Sequence, residues 1–300
     1  MDEPIRGEIM AVLITGSTGF LGRYLMPMFK VAYPEVVGVS RHGGDDYQYD
    51  LTDPLAVENI MAKVKPRLIV HAAALTDVTR CQKEPELAFK VNTEMVKNIV
   101  TFMPKNCKLI YISTDMVYSG VGPHKEYSES ENPINLYGLS KYMGEKAAAK
   151  AGQYLNLRTN MYGFSRGSAW ASSLVDSMIK KLTSEVTFQL FTDAIFSPLY
   201  VETLAGIILN LSISSRTSTG TFNIGACNGM SKSKFTLLLA DAVGLSAYNA
   251  RPVESVSMPN RVPRPLDTRL DITRIEGLGY SMPRMENDMA EMFKKAKWKE

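Results

Sequence analysis

Short apolar runs alternate with longer stretches of helical spacing through the first half of the chain. Ala11–Thr15, Val36–Ser40, Arg67–His71, Lys108–Ser113 and Tyr154–Arg158 are runs bounded by turn-forming or polar residues, and they read as buried strands. Between them, Phe20–Lys30, Asp53–Lys65, Pro85–Met103 and Tyr137–Ala151 carry apolar residues at helical spacing, with Pro54 at a favoured early helix position. Strands that alternate with helices need crossover connections, and so predict an α/β fold with a parallel, doubly wound sheet. Such sheets bind ligands beyond the carboxyl ends of their strands. The chemistry is therefore expected just after Thr15, Ser40, His71 and Ser113.

Beyond Arg158 the pattern loosens. Helices are predicted over Ala169–Lys181, Val201–Leu211, Lys232–Val243 and Met285–Lys297, a short strand over Thr221–Ile224, and a proline-rich extended loop over Arg251–Asp267. Three hundred residues allow one large domain or two closely joined ones, and 45% apolar with 22% charged residues is ordinary globular composition. The net charge of +3 is spread along the chain without a dense basic block, which argues against nucleic acid as a partner. Cys81, Cys107 and Cys227 are too scattered for a disulfide framework or a zinc site and suit a reduced, cytoplasmic setting. Residues 1–8 read as a polar leader rather than a signal peptide, and no run approaches the roughly 18 apolar residues of a membrane span.

Thr15-Gly16-Ser17-Thr18-Gly19-Phe20-Leu21-Gly22 follows the first strand and opens the first helix. Gly16 permits a tight turn, Gly19 lets backbone N–H groups approach a pyrophosphate, and Gly22 lets the helix pack on the sheet. The helix N-terminus then faces the anion with its partial positive charge. The spacing is G-x-x-G-x-x-G, and its strand–turn–helix context is what makes the glycine triplet informative. The second strand ends Ser40-Arg41-His42, with no acid to bond both ribose hydroxyls. Arg41 can pair with a 2′-phosphate through its planar fork and Ser40 can add a hydroxyl, which favours NADP(H) over NAD(H). Asp50 can meet an adenine amino group with Leu51 covering its face, although Asp50 can equally cap the following helix.

Tyr137 and Lys141 lie four residues apart and so share one helix face. A tyrosine titrates near 10, and a neighbouring ammonium lowers that value. Bringing it toward neutrality needs about 4 kcal/mol, which a close lysine and a nicotinamide cation can supply in a shielded site. The phenol can then give or take a proton during hydride transfer. Ser113-Thr114-Asp115 places hydroxyls at the end of the fourth strand, where one can polarise the same oxygen.

Taken together, Thr15–Gly22, His71-Ala-Ala-Ala74, Val91-Asn92, Ser113-Thr-Asp115 and Tyr137–Lys141 resemble an extended short-chain dehydrogenase/reductase over nearly the whole chain. Ser197–Val201 and, more specifically, Arg264–Asp271 resemble the dTDP-4-dehydrorhamnose reductase family. The resemblance implies a Rossmann-type domain, mainly residues 1–165, and a smaller substrate-binding lobe, mainly residues 166–300, whose segments can interleave. It implies Thr114, Tyr137 and Lys141 as the catalytic triad, Ala72, Ala73 and Ala74 lining the cofactor cleft, and Asn92 supporting it. Thr76, Asn160 and Arg264 are candidate substrate contacts, each equally readable as a structural hydrogen bonder. Dehydratases of the wider family carry an Asp-Glu pair after the Thr; here Asp115-Met116 stands instead, so dehydration is not expected. Arg158–Gly163 is shorter than its counterpart in rhamnose-pathway reductases and lacks the tryptophan often found there. Trp170 reads as a core aromatic of a helix face, His71 as a satisfied core residue, and His42, His71 and His124 form no metal cluster.

The implied activity is NADPH-dependent reduction of a nucleotide-activated 4-keto-6-deoxy sugar, in a protein that is often a homodimer among relatives. Two other readings stay open. One is a dinucleotide-binding regulatory subunit like that of methionine adenosyltransferase. The other is a sugar-nucleotide epimerase that recycles tightly held NAD, against which Arg41 speaks.

Overall fold

The computed structural model describes residues 11–44, 46–127, 131–166, 173–214, 219–258 and 261–296. Strands β1 (Ala11–Thr15), β2 (Glu35–Ser40), β3 (Tyr47–Gln48), β4 (Leu68–His71), β5 (Lys108–Ile112) and β6 (Gln153–Thr159) fall where the apolar runs predict, except for β3, which is too short to leave a pattern. Four short strands follow: β7 (Met161–Tyr162), β8 (Phe188–Phe191), β9 (Ile195–Phe196) and β10 (Leu199–Tyr200). Then come β11 (Gly220–Ile224), β12 (Met230–Ser231) and β13 (Ala250–Val253). The central sheet has the order β11-β6-β5-β4-β1-β2-β3, and every pairing in it is parallel. Its order reverses between β1 and β4, which creates the crevice where α/β sheets take ligands.

Register brings the chemistry-bearing strand ends together. Thr15 pairs with Val39 on one side and His71 on the other, and His71 pairs with Tyr111. β1 is buried on both faces, which explains its unbroken apolar run. Val12 and Ile14 join one core cluster, and Leu13 joins the other, as a period of two requires. The first face is covered by α1 (Gly22–Ala32) through Leu25 and Phe29 and by α8 (Val201–Ile213) through Leu204 and Ile208. The second is covered by α2 (Pro54–Val64) through Val57 and Ile60, and by Val96 and Ile99. Both faces bury their covering helices, so the sheet is the scaffold on which the loops at its carboxyl edge are held.

The stretch predicted as one helix, Pro85–Met103, is interrupted. After a one-turn helix at Val78–Lys83 (α3), capped by Asp77, the chain forms α4 (Pro85–Phe89), a π turn at Lys90–Glu94, and α5 (Met95–Phe102). The π turn carries Asn92, and such bulges recur at functional sites. α6 (Leu136–Ala148) is capped by Asn135, whose Oδ1 accepts the Gly138 N–H at 2.8 Å. It ends three residues before the predicted Ala151, which instead closes a turn.

The later helices are α7 (Leu174–Leu182), α9 (Lys232–Val243), α10 (Thr273–Glu276) and α11 (Met285–Ala296). The predicted beginning of the helix at Ala169, Trp170 with it, and the end of the last helix at Lys297 lie outside the described residues; the described part of the former begins at Leu174, where Ser173 caps it. The predicted loop Arg251–Asp267 is ordered at its start by β13 pairing with β8 and by a 3-10 turn at Ser255–Ser257. β11 returns to the edge of the central sheet beside β6, so the second half of the chain contributes to the first layer. Among the described residues, no helix is long and apolar enough to cross a membrane.

Candidate active site

The turn after β1 is built to bring backbone close to backbone. Gly16 has φ +69°, a conformation that side chains rarely adopt, and a Cβ there would lie 2.7 Å from the Ala73 nitrogen. Its N–H donates to the Val39 carbonyl at 2.8 Å, and Gly19 N–H donates back to Gly16 O at 2.9 Å. A Cβ on Gly22 would sit 2.2 Å from Gly16 O, so the first residue of α1 admits no side chain. Ser17 and Leu21 are buried, while Thr18, Gly19 and Phe20 remain partly accessible. Ala72, Ala73 and Ala74 are partly accessible on the facing loop, and Ala73 N–H reaches the Thr15 hydroxyl at 3.4 Å.

At the end of β2 the Ser40 hydroxyl is turned inward and donates to Gly43 O at 3.2 Å. Arg41 is exposed and its guanidinium lies 3.1–3.2 Å from the His42 ring. Asp50 is exposed and accepts the Thr52 N–H at 3.0 Å; despite some burial, which would raise it, the bonds from Thr52 hold its carboxyl below the usual range. Leu51 faces the other way: at 4% exposure it belongs to the core beneath α2, so its side chain lies in the core. Asn92 is fully used. It accepts Leu75 N–H at 2.8 Å and donates to Leu75 O and Ser140 Oγ, each at 3.0 Å, and so ties the loop after β4 to α6.

Tyr137, Lys141 and Thr114 meet at the carboxyl end of β5. Tyr137 packs among Val78, Cys81 and Ala88, and its phenol lies beside the Thr114 hydroxyl, which donates to Asp115 Oδ1 at 3.1 Å. Thr114 itself accepts the Met116 N–H at 3.2 Å, which fixes its rotamer. Burial pushes the Tyr137 phenol well above its ordinary value; Thr114 opposes the rise and Asp115 adds to it. This departs from the depressed value that a neighbouring ammonium would give, for a visible reason. The Lys141 ammonium donates to the Ile112 carbonyl at 2.6 Å and lies 4.2 Å above the Tyr111 ring. Burial lowers Lys141 to about 7, with Glu145 opposing.

His71 is half satisfied rather than satisfied. Nδ1 lies 2.7 Å from the Thr15 hydroxyl, the ring stacks on Tyr111, and Nε2 is buried with no hydrogen-bond partner among the described residues. Burial, with Lys141 nearby, lowers it to about 3, so it is neutral. Among the described residues no group of His, Cys, Asp and Glu could hold a metal ion.

Beside the triad lies a narrow cavity of about 20 Å³, lined by Asp115, Asn160, Lys232, Arg261, Arg264 and Thr268 among others. Asp115 accepts the Asn160 amide at 2.8 Å, and burial raises its carboxyl. Asn160 and Arg264, both singled out from sequence, are therefore brought together; Thr76 is exposed at the entry to α3 and is not among the residues lining this cavity. Lys232 and Arg261 escape a sequence reading, because nothing local marks a lysine at a helix start or an arginine in a loop as part of a site that includes Asp115, far earlier in the chain. Burial, helped by Arg264, lowers Lys232 to about 8, and burial likewise lowers Arg261 and Arg264. The Arg264 Nε is buried with no hydrogen-bond partner among the described residues. Asp193 anchors the segment carrying both arginines by accepting the Ser255 N–H at 2.8 Å and its hydroxyl at 2.9 Å. Cations crowded together and partly desolvated make a site that favours an anion.

The RmlD substrate binding domain family matches residues 10–298 of the chain. Methionine adenosyltransferase 2 subunit beta of Xenopus tropicalis is 27% identical over 286 residues, covering 89% of this chain and 82% of the relative. The probable low-salt glycan biosynthesis reductase Agl14 of Haloferax volcanii is 28% identical over 294 residues, covering 94% of this chain and 96% of the relative. The crystal structure of dTDP-4-dehydrorhamnose reductase from Bacillus anthracis in complex with NADP has a TM-score of 0.85 to this chain at 26% identity, covering 96% of this chain and all of that one.

Proposed function

The chain belongs to the RmlD substrate binding domain family, and from that premise we propose that it is an NADPH-dependent reductase of a nucleotide-activated 4-keto-6-deoxy sugar. One observation carries the reading: the Tyr137 phenol and the Thr114 hydroxyl are buried side by side at the carboxyl edge of the sheet, where two donors can converge on one substrate oxygen. Residues 1–165 then serve mainly the dinucleotide and residues 166–300 mainly the substrate, with β11 returning to the first layer.

The residues present fit a dinucleotide. The glycine turn leaves no space that a Cβ could take without collision at Gly16 or Gly22, and the exposed guanidinium of Arg41 after β2 supports NADP(H), since its planar fork can pair with a 2′-phosphate. A bound nicotinamide supplies the hydride. Tyr137 delivers the proton to the oxygen that gains charge, Thr114 hydrogen-bonds that oxygen, and Lys141 electrostatically favours the phenolate left behind. Lys232, Arg261 and Arg264 hold the diphosphate of the sugar nucleotide, and the Asp115–Asn160 pair faces the sugar.

Replacing Arg41 by Ser is expected to weaken NADPH binding about tenfold or more, the scale of a lost charge-assisted hydrogen bond, while NADH binding stays as it was; fluorescence titration with both cofactors measures the contrast. Lys232→Ala combined with Arg264→Met is expected to raise KM for the sugar nucleotide by about tenfold or more with NADPH affinity unchanged. Steady-state kinetics with substrate varied at saturating NADPH checks this.

The direct test follows NADPH absorbance with dTDP-, UDP- and GDP-linked 4-keto-6-deoxy sugars. Absence of oxidation across the panel, with NADPH bound, would sink the reductase reading. A second reading draws support from relatives such as the Xenopus tropicalis subunit: a dinucleotide-binding partner of a methionine adenosyltransferase. Co-elution of this chain with such an enzyme's catalytic subunit, together with silence in the reductase assay, would favour it.

A further inference from the structure

One helical turn beyond Lys141, the same face of α6 carries a second buried charge, Glu145. Its carboxylate accepts the Ser113 hydroxyl at 2.5 Å, and Arg158 of β6 grips it through Nε at 2.9 Å and Nη2 at 2.6 Å. The remaining arm of Arg158, Nη1, donates to Tyr118 at 2.8 Å and to Glu131 at 2.5 Å. Arg158 and Glu145 are both 2% exposed. Burying such a pair rarely adds stability by itself, because desolvation offsets the attraction. A role beyond holding the fold is therefore worth asking of it.

Its place in the fold supplies one. Ser113 directly follows Ile112, whose carbonyl takes the Lys141 ammonium. Adjacent residues of β5 thus bind the two opposite charges of α6: Ile112 the ammonium, Ser113 the carboxylate. Other groups surround Lys141 without offering a counter-ion. His71 of β4 is neutral, the Cys81 thiol of α3 is pushed up to about 11, and burial pushes the Tyr111 and Tyr137 phenols well above their ordinary value. Of the described groups acting on Lys141, only Glu145 is an ion-paired carboxylate.

We propose that the Ser113–Glu145–Arg158 network is a positioning device for Lys141, holding a fixed anion one turn away that favours the charged form of this buried lysine. The inference rests on the reading of Lys141 as the partner of Tyr137, but its central test does not require cofactor. With side-chain-labelled lysine, the Lys141 resonance is identified by its loss in Lys141→Met and followed against pH. In the parent chain the midpoint falls near 7. In Glu145→Gln it is expected to drop by about 1 pH unit or more, whereas Glu131→Gln, which removes the other carboxylate of Arg158, leaves it in place.

An unchanged midpoint in Glu145→Gln, or an equal drop in both variants, would overturn the proposal, since a merely structural network predicts no such difference. Should Glu145→Gln fail to fold, Glu145→Gln with Arg158→Met replaces the pair by groups of similar size, a change such sites tolerate, and the same drop is expected. NADPH titrations at pH 6 and pH 8 complete the experiment: relative to the parent, Glu145→Gln is expected to lose several-fold more affinity at pH 8 than at pH 6. A shifted midpoint with no change in NADPH binding would keep the network and remove Lys141 from the cofactor site.

Discussion

Tyr137→Phe is expected to lower turnover by about 10²–10⁴-fold, the span that a positioned general acid contributes, and to leave NADPH affinity nearly unchanged. The ring itself is held by Val78, Cys81 and Ala88, which the phenylalanine still satisfies. What it loses is the one proton the reaction needs and the phenol's proximity to the Thr114 hydroxyl. The phenol is the loaded form of the acid, because burial and the nearby Asp115 hold it protonated far above neutral pH. Releasing that proton in the reaction needs a cation near the product phenolate, and Lys141 carries its charge below about pH 7 in the free protein. The reductive kcat/KM is therefore expected to fall as pH rises through about 7, since the free-enzyme profile reports the groups that must stay protonated. Single-turnover NADPH oxidation by the Phe variant, beside a fluorescence titration, separates the chemical step from binding. Turnover equal to that of the parent would remove Tyr137 from the mechanism.

What could be seen in the sequence is what short spacing encodes. Gly16, Gly19 and Gly22, Tyr137 and Lys141, and Thr114 after an apolar run are each set by one turn, one helix face or one strand end, so a few residues suffice to identify them. The alternation of strand and helix likewise fixes the parallel sheet, because crossovers leave little else. Four features were hidden for physical reasons. The π turn at Lys90–Glu94 adds a residue to a helix without altering its composition, so Pro85–Met103 reads as continuous. The inward face of Leu51 depends on how the chain leaves β3, a two-residue strand. Lys232 and Arg261 join Asp115 only through tertiary folding, in a cavity assembled from β9, α9 and the segment after β13. The direction of the Lys141 ammonium, toward Ile112 O rather than toward the phenol, is also invisible to spacing: residues at i and i+4 share a face, but a four-carbon stem chooses among acceptors there.

Arg158→Leu is expected to cost about 3–5 kcal/mol of folding stability at neutral pH, the penalty of removing one partner from a buried ion pair, and to lower the melting temperature by roughly 5–8 °C. The size follows from what is left behind. Glu145 keeps the Ser113 hydroxyl but loses both charged bonds, and Glu131 loses its 2.5 Å contact while staying nearby. Tyr118 also loses its guanidinium partner, keeping its bond to the Asn223 side-chain Oδ1 at 2.9 Å. Leucine fills most of the apolar space but offers no donor to either carboxylate; Glu131 is partly exposed and keeps the Tyr127 N–H and the Tyr142 hydroxyl, so the Glu145 anion is the one left in a region that excludes water. The double variant Arg158→Leu, Glu145→Gln distinguishes this cause from lost packing. If the uncompensated carboxylate is responsible, the second change recovers much of the stability, because it removes the stranded charge while leaving the shape. Chemical denaturation of the four chains of the cycle gives the coupling directly. A purely additive cycle would mean that Arg158 acts through volume alone, and that the charges of β6 and α6 do not sense one another.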